Sequence, residues 1–296
     1  MTGTTLPPGV TRVLREGGIV KFGLRLADGA EVESVVVPMR ERAPGRQRAS
    51  LCVSTQVGCR MGCAFCATAR MGLGRNLEPE EILAQVSAAR SLGAKPTNIT
   101  FMGMGEPLDN FDRWAASVRL LIDLPAGLAV AMNRMTVSTC GLVPGLDRLA
   151  ELNWRRVTLA VSLNAPNDAI RSRLMPVNRK HPMAELKEAL LRHPLRRGVF
   201  MAEYVLLAGI NDRPEHADEL AEYLAPFRAA VNLIPYNGVK GAEGFEPPAR
   251  AAVELFQGRL RQAGRHAVVR ETKGRGIEAA CGQLTGSTAR PPSSMV

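Results

Sequence analysis

Three cysteines stand in the run Cys59-Arg-Met-Gly-Cys63-Ala-Phe-Cys66, a CxxxCxxC spacing. Thiolates this close in sequence can bind three corners of a cubane iron–sulfur cluster and leave a fourth iron without a protein ligand. An open iron can bind a small molecule and pass it an electron. Zinc is the competing reading, but a structural zinc site closes its tetrahedron with a fourth Cys or His near by. Here the next cysteine is Cys140 and the first histidine is His181. Chance clustering is the third reading.

Composition narrows the class. The chain has 296 residues, 46% hydrophobic and 22% charged, which suits one large domain or one plus a small appendage. No apolar run approaches the ~20 residues that span a bilayer. The opening Met-Thr-Gly-Thr-Thr-Leu-Pro-Pro lacks the charged and apolar regions of a signal peptide. Six cysteines in a chain of this length do not read as a secreted disulfide framework, and the clustered trio points to a reducing cytoplasm. Thirty-eight basic against twenty-eight acidic residues leave a net charge of +10, which suits a polyanion such as nucleic acid. The competing reading is a merely solvated basic surface. Aromatic content of 4% argues against a row of base-stacking platforms.

These cysteines need a scaffold. Residues 19–37 read as a β-hairpin, with Val20, Phe22, Leu24 and Leu26 alternating before an Asp28-Gly29 turn. Beyond it, short apolar strands at Leu51–Thr55, Asn98–Met102, Met135–Thr139, Val157–Leu163, Phe200–Leu207 and Val231–Pro235 alternate with helical stretches. The helical stretches are Pro79–Leu92, Phe111–Ile122, Leu186–Leu191, Pro214–Leu224 and Ala249–Ala263, and a last strand covers Ala267–Glu271. About six strand–helix units predict an α/β fold, a partial (β/α)6 TIM-like barrel with a short N-terminal β-hairpin. The expected divisions are 1–48 for hairpin and basic loop, 49–286 for the core, and 287–296 for a frayed tail.

In such barrels chemistry gathers at the C-terminal ends of the strands. The cysteine run follows the first core strand, and Gly103-Met-Gly105-Glu106-Pro107 follows the second. Ser138 ends the third, Ser162-Leu163-Asn164 the fourth, and Asn237 follows the sixth. One periodicity therefore gathers five motifs around one mouth.

Together these residues resemble a known family. Cys59–Cys66 looks like the cluster loop of radical S-adenosylmethionine (SAM) enzymes, and Gly105-Glu106-Pro107 looks like the segment that holds SAM's amino group. Leu51-Cys-Val-Ser-Thr-Gln-Val-Gly-Cys59, Asn232-Leu-Ile-Pro-Tyr-Asn237 and Ala279-Ala-Cys281-Gly-Gln-Leu284 are similar to the radical SAM RNA methyltransferases that act on an adenine ring carbon. The similarity runs over about residues 19–286. It implies a [4Fe–4S] cluster on Cys59, Cys63 and Cys66, and SAM contacts at Gly105, Glu106, Ser138, Ser162, Leu163, Asn164 and Asn237. It also implies methylation of adenine, at C2 in preference to C8, in ribosomal or transfer RNA. A monomer served by an electron donor such as flavodoxin or ferredoxin follows from the same likeness.

Chemistry explains the two further cysteines. Adenine C2 lies between two ring nitrogens and is too electron-poor to attack the methyl group of SAM, whereas a carbon radical can add to it. By resemblance, Cys281 carries the methyl group, Cys52 resolves the resulting adduct through a transient disulfide, and Glu33 accepts the ring proton. Read alone, Cys52 and Cys281 could each be a buried core thiol, and Glu33 in an alternating strand would ordinarily face solvent. Cys140 reads as packing. His181, His193, His216 and His266 match no motif and read as surface or helix residues.

Two departures bear on the substrate. Asn164 stands where the family commonly has His, and its amide still offers hydrogen bonds to SAM. The loop Thr272-Lys-Gly-Arg-Gly-Ile-Glu278 lacks the paired aspartates typical of C2 enzymes. Family members usually carry an accessory helical domain before the hairpin, and here about eighteen residues precede it. The arginines Arg40, Arg42, Arg46 and Arg48 lie between Glu33 and Cys52 and are expected near the mouth, on RNA phosphates. The alternatives are a radical SAM enzyme acting on another RNA or a small molecule, and a non-enzymatic iron–sulfur or zinc RNA-binding protein.

Overall fold

The computed structural model of the protein describes residues 6–41, 47–125, 127–194, 199–270, 274 and 276–286. Seven parallel strands form its centre: β4 (Arg48–Cys52), β7 (Asn98–Phe101), β8 (Met135–Thr139), β9 (Thr158–Ser162), β10 (Val199–Leu206), β11 (Arg228–Pro235) and β12 (His266–Val269). Helices α2 (Pro79–Ser91), α3 (Phe111–Asp123), α4 (Val143–Glu151), α5 (Asp168–Leu174), α6 (Met183–Arg192), α7 (Pro214–Tyr223) and α8 (Arg250–Gln262) cross between them. This is the partial barrel expected of the strand–helix alternation. Its strands are apolar on the helix-facing side, as sheets covered by helices must be: Ile99, Val137, Leu159, Phe200 and Leu233 are almost fully buried.

The N-terminal hairpin is present and extended. Strands β2 (Ile19–Arg25) and β3 (Glu31–Met39) pair antiparallel, and β1 (Val10–Glu16) adds a strand on the other edge of β2. The sequence reading missed β1, because Arg12, Arg15 and Glu16 break its apolar pattern. Strand β3 then pairs antiparallel with β4, so one ten-stranded sheet runs from β1 to β12.

That pairing overturns the expected position of the basic loop. Arg48 opens β4 and donates to Asn98 Oδ1 at 3.2 Å, at the start of β7. Cys52 closes the same strand four residues on, ~13 Å away at an ordinary strand rise. Strand β4 therefore begins at the end of the barrel opposite the mouth. Arg40 and Arg48 belong to that end, while Arg42 and Arg46 lie outside the described residues. Two smaller corrections concern histidine and helix content. His181 is buried, with Nδ1 3.0 Å from Glu185 Oε1, rather than superficial. Helices α4 and α5 were not foreseen, because Pro144 and a short polar stretch disguise them.

Candidate active site

The cysteine loop has its own mount. A two-stranded ribbon, β5 (Gln56–Gly58) with β6 (Leu73–Asn76), brackets it, and the single-turn helix α1 (Ala67–Arg70) follows Cys66. Cys59 N donates to Gly72 O at 2.8 Å, closing the ribbon's base. Gly58, at φ +76°, passes so close to Gly72 O that a Cβ would stand 1.9 Å from it. Only glycine fits there.

Cys59, Cys63 and Cys66 line one cleft with Gly105, Glu106, Ser138, Ser162, Asn164, Asn237 and Cys281. It opens at the C-terminal ends of the strands, with about 170 Å³ of free space. Leu163 is fully buried and turned away from the cleft; its backbone N–H donates to Glu203 O at 3.0 Å. Cys52 lies beside the cleft, half-buried on β4, within electrostatic reach of Cys281 and Arg270. Glu33 is wholly buried outside the cleft lining: Arg12 holds Oε1 at 2.5 Å, Lys21 approaches Oε2 at 2.9 Å, and Thr285 N donates to Oε2 at 2.8 Å.

Burial dominates the acid–base character of the thiols. It pushes Cys59 up to about 12, and raises Cys63 and Cys66 as well. Neighbouring thiolate charge adds to the rise at Cys63. Backbone N–H groups of Ala69 and Thr68 oppose it at Cys66. Desolvated thiols of this kind give up their protons when a cation takes their place. Among the described residues, no three Cys, His, Asp or Glu side chains converge as ligands of a single ion do. A cubane cluster asks for something else, because each of its cysteines binds a different iron. Three cleft-facing cysteines without a common centre fit that larger group better than zinc.

Glu106 is buried and fixed from two sides. Leu108 N donates to Oε1 at 3.1 Å and Cys140 N to Oε2 at 2.8 Å. Burial raises its carboxyl, and these donors counter the rise. The preceding Gly105 sits at φ +97° with no room for a Cβ, which would lie 2.6 Å from Gln56 Cβ. Gln56 in turn accepts from Glu106 N and donates to Asp109 and Asn76, which locks the segment onto the β5–β6 ribbon. A fixed carboxylate among strand-end carbonyls suits the ammonium group of an amino acid.

Asn164 occupies the left-handed region at φ +55°, where Asn is the best-tolerated side chain after glycine. Its Oδ1 accepts from Val205 N at 2.8 Å, tying β9 to β10, and its Nδ2 donates to Met175 Sδ at 3.3 Å.

The Cys281 loop is strapped over this cleft. Ala67 N donates to Gly282 O, and Thr68 Oγ1 donates to Leu284 O at 2.6 Å, joining it to α1. Gln283 Nε2 donates to the carbonyls of Asn237 and Gly238 at 3.0 and 2.9 Å. Cys281 itself is exposed.

Four residues of the site escaped the sequence reading. Cys140 is buried as expected of packing, but it also faces the cleft. Glu203 and Arg270 line the cleft from β10 and just beyond β12. Glu203 accepts from Asn232 Nδ2 through Oε1, while its buried Oε2 has no hydrogen-bond partner among the described residues. Alternation along β10 could have placed Glu203 inward, since Ala202 and Tyr204 face the helices. Arg171, described below, carried no signal of its own.

Comparisons with known proteins agree with this geometry. The Radical SAM superfamily matches residues 53–224. Dual-specificity RNA methyltransferase RlmN of Anaeromyxobacter dehalogenans is 48% identical, over 90% of this chain and 72% of that protein. Its namesake from Syntrophotalea carbinolica is 44% identical, over 97% of this chain and 75% of its own length. A crystal structure of a radical SAM methyltransferase from Sphaerobacter thermophilus superposes with a TM-score of 0.84 at 43% identity, covering 93% of this chain and 80% of that one. The chain belongs to the radical SAM superfamily and, within it, to the RlmN family of dual-specificity RNA methyltransferases.

Proposed function

We propose that the protein methylates C2 of an adenine in ribosomal RNA, transfer RNA or both, using Cys281 as methyl carrier and Cys52 as resolving thiol. The observation that carries this reading is the shared neighbourhood of Cys281, Cys52 and the cleft that holds Cys59, Cys63 and Cys66. A radical SAM enzyme that only cleaves SAM has no use for the first two. The cluster and SAM, when bound, supply the carbon-centred radical that removes a hydrogen atom.

The chain's own residues supply the rest. Cys59, Cys63 and Cys66 would hold three irons, and Glu106, Ser138, Ser162, Asn164 and Asn237 would hold SAM. Leu163, whose N–H is held by Glu203 and whose carbonyl is held by Arg171, would fix the strand end between Ser162 and Asn164 rather than touch SAM. The Cys281 thiolate would take a methyl from SAM, forming a sulfur–carbon bond as the sulfonium becomes a thioether. Once that carbon is joined to the base, the adduct would give up one electron to the reducing centre and its ring proton to Glu33, and Cys52, as a thiolate, would attack the Cys281 sulfur. A disulfide forms as the sulfur–carbon bond breaks, the freed carbon takes a proton to become the methyl group of the departing base, and an external reductant restores both thiols. Because Thr285 N occupies Glu33 Oε2, this role requires the segment after Gln283 to lift.

RNA would enter at the mouth. Arg70 at the end of helix α1, Arg173 in the last turn of helix α5, and Arg179 and Lys180 in the turn after it are exposed, and suit phosphate contacts. No described helix is long and apolar enough to cross a membrane, and six free cysteines suit a reducing cytoplasm. Mass spectrometry of nucleosides from a deletion strain and its parent tests the function. Loss of 2-methyladenosine from one RNA fraction is expected; an unchanged methyladenosine profile would refute it.

A further inference from the structure

Arg171 is fully buried on α5, yet no carboxylate forms an ion pair with it among the described residues. Its guanidinium is satisfied by oxygens from three different places. Nη2 donates to Cys140 O at 2.6 Å and to Ser162 O at 3.2 Å; Nε donates to Leu163 O at 3.1 Å. Nη1 donates to Asn178 Oδ1 at 2.9 Å, in the 3-10 turn Pro176–Arg179. Asn178 is itself held by Asp168 Oδ1 at 2.7 Å and Ser172 Oγ at 2.8 Å.

Burying a cation is costly unless its donors are all satisfied. Lysine could not replace this geometry, because its compact ammonium cannot span a planar fork of acceptors. Gly141 also makes room for the group: a Cβ there would stand 3.1 Å from Arg171 Nη2. The contacts follow a pattern. Cys140 ends the segment whose N–H fixes Glu106, and Ser162 with Leu163 ends β9. The guanidinium therefore grips, from behind, the ends of two neighbouring strands that both line the cleft, β8 and β9, with Glu106 held by the N–H of the same Cys140.

We infer that Arg171 is a positioning residue for SAM: its fork fixes the spacing between the Glu106–Cys140 junction and the Ser162–Leu163 strand end, so that both can meet one ligand. The inference rests on the SAM-binding reading of this cleft. Arg171 itself does not line the cleft and acts through these backbone groups.

The test is SAM affinity by equilibrium dialysis on anaerobically reconstituted, unreduced holoenzyme. Wild type is compared with Arg171→Lys and Asn178→Ala, alongside iron content. Arg171→Lys should weaken SAM binding by about tenfold or more, the worth of one to two charged hydrogen bonds. Asn178→Ala loses one of the four fork contacts and should weaken it by a smaller factor while keeping wild-type iron content, so the test survives if the arginine variant does not fold. SAM affinity equal to wild type in Asn178→Ala, or a loss that only tracks lost iron, overturns the positioning role. Failure of the wild type itself to bind SAM overturns the reading of the cleft along with it.

Discussion

The ammonium of Lys21 lies 2.9 Å from the carboxylate of Glu33, and both side chains are almost wholly buried. Lys21 Nζ also donates to Glu278 O at 2.9 Å, on the turn that leads to Cys281. One buried pair thus joins the N-terminal hairpin to the C-terminal loop. Replacing one partner leaves the other charge uncompensated, which costs more than removing both. Lys21→Met should destabilise the protein by about 2–3 kcal/mol, Arg12 offsetting part of the loss. Lys21→Met with Glu33→Gln should recover part of it. Urea melts of Lys21→Met, Glu33→Gln and the double variant check the order, and an additive double variant would contradict it.

Gly105→Ala should be costly for a reason unrelated to ligand contact. At φ +97° an L side chain is strained, and its Cβ would overlap Gln56 at 2.6 Å. A loss of about 2 kcal/mol or more is expected in thermal or denaturant melts. Wild-type stability in this variant would show that the strand end can shift.

Cys52 should be a slow thiol. Desolvation, reinforced by Cys281, pushes it from the ordinary value of 9.0 to about 12. A thiol raised in the folded state keeps its stabilising contribution below pH 9 and loses it as pH climbs toward 12. In iron-free folded protein at pH 8, iodoacetamide should modify exposed Cys281 well before Cys52. Peptide mapping reads the order, and equal labelling at pH 8 would contradict the burial of the Cys52 thiol.

The barrel was legible because a parallel sheet covered by helices writes itself as apolar runs between amphipathic ones, as from Asn98–Phe101 to Phe111–Asp123. The cysteine loop was legible for a different reason: its three cysteines lie close together in sequence. Residues that act from behind were not. Arg171 is seven positions beyond Asn164, on a short helix whose other charged residues face solvent, and nothing local marks it as buried. The basic loop was misplaced because nearness in sequence to Glu33 and Cys52 says nothing of strand direction. Arg48 and Cys52 are four residues apart and at opposite ends of one strand. The competing reading of Glu33 as a solvent-facing residue fails likewise, because the C-terminal segment packs over it through Thr285 N and over Lys21 through Glu278 O.

The division of labour between Cys281 and Cys52 is tested most directly by Cys52→Ala, reconstituted with iron and sulfide, reduced, and supplied with SAM and substrate RNA. Without the resolving thiol, protein joined to RNA through a carbon bridge on Cys281 should accumulate, visible on denaturing gels and located by peptide mass spectrometry. Release of methylated RNA at the wild-type rate, with Cys281 carrying neither methyl nor RNA, would contradict it.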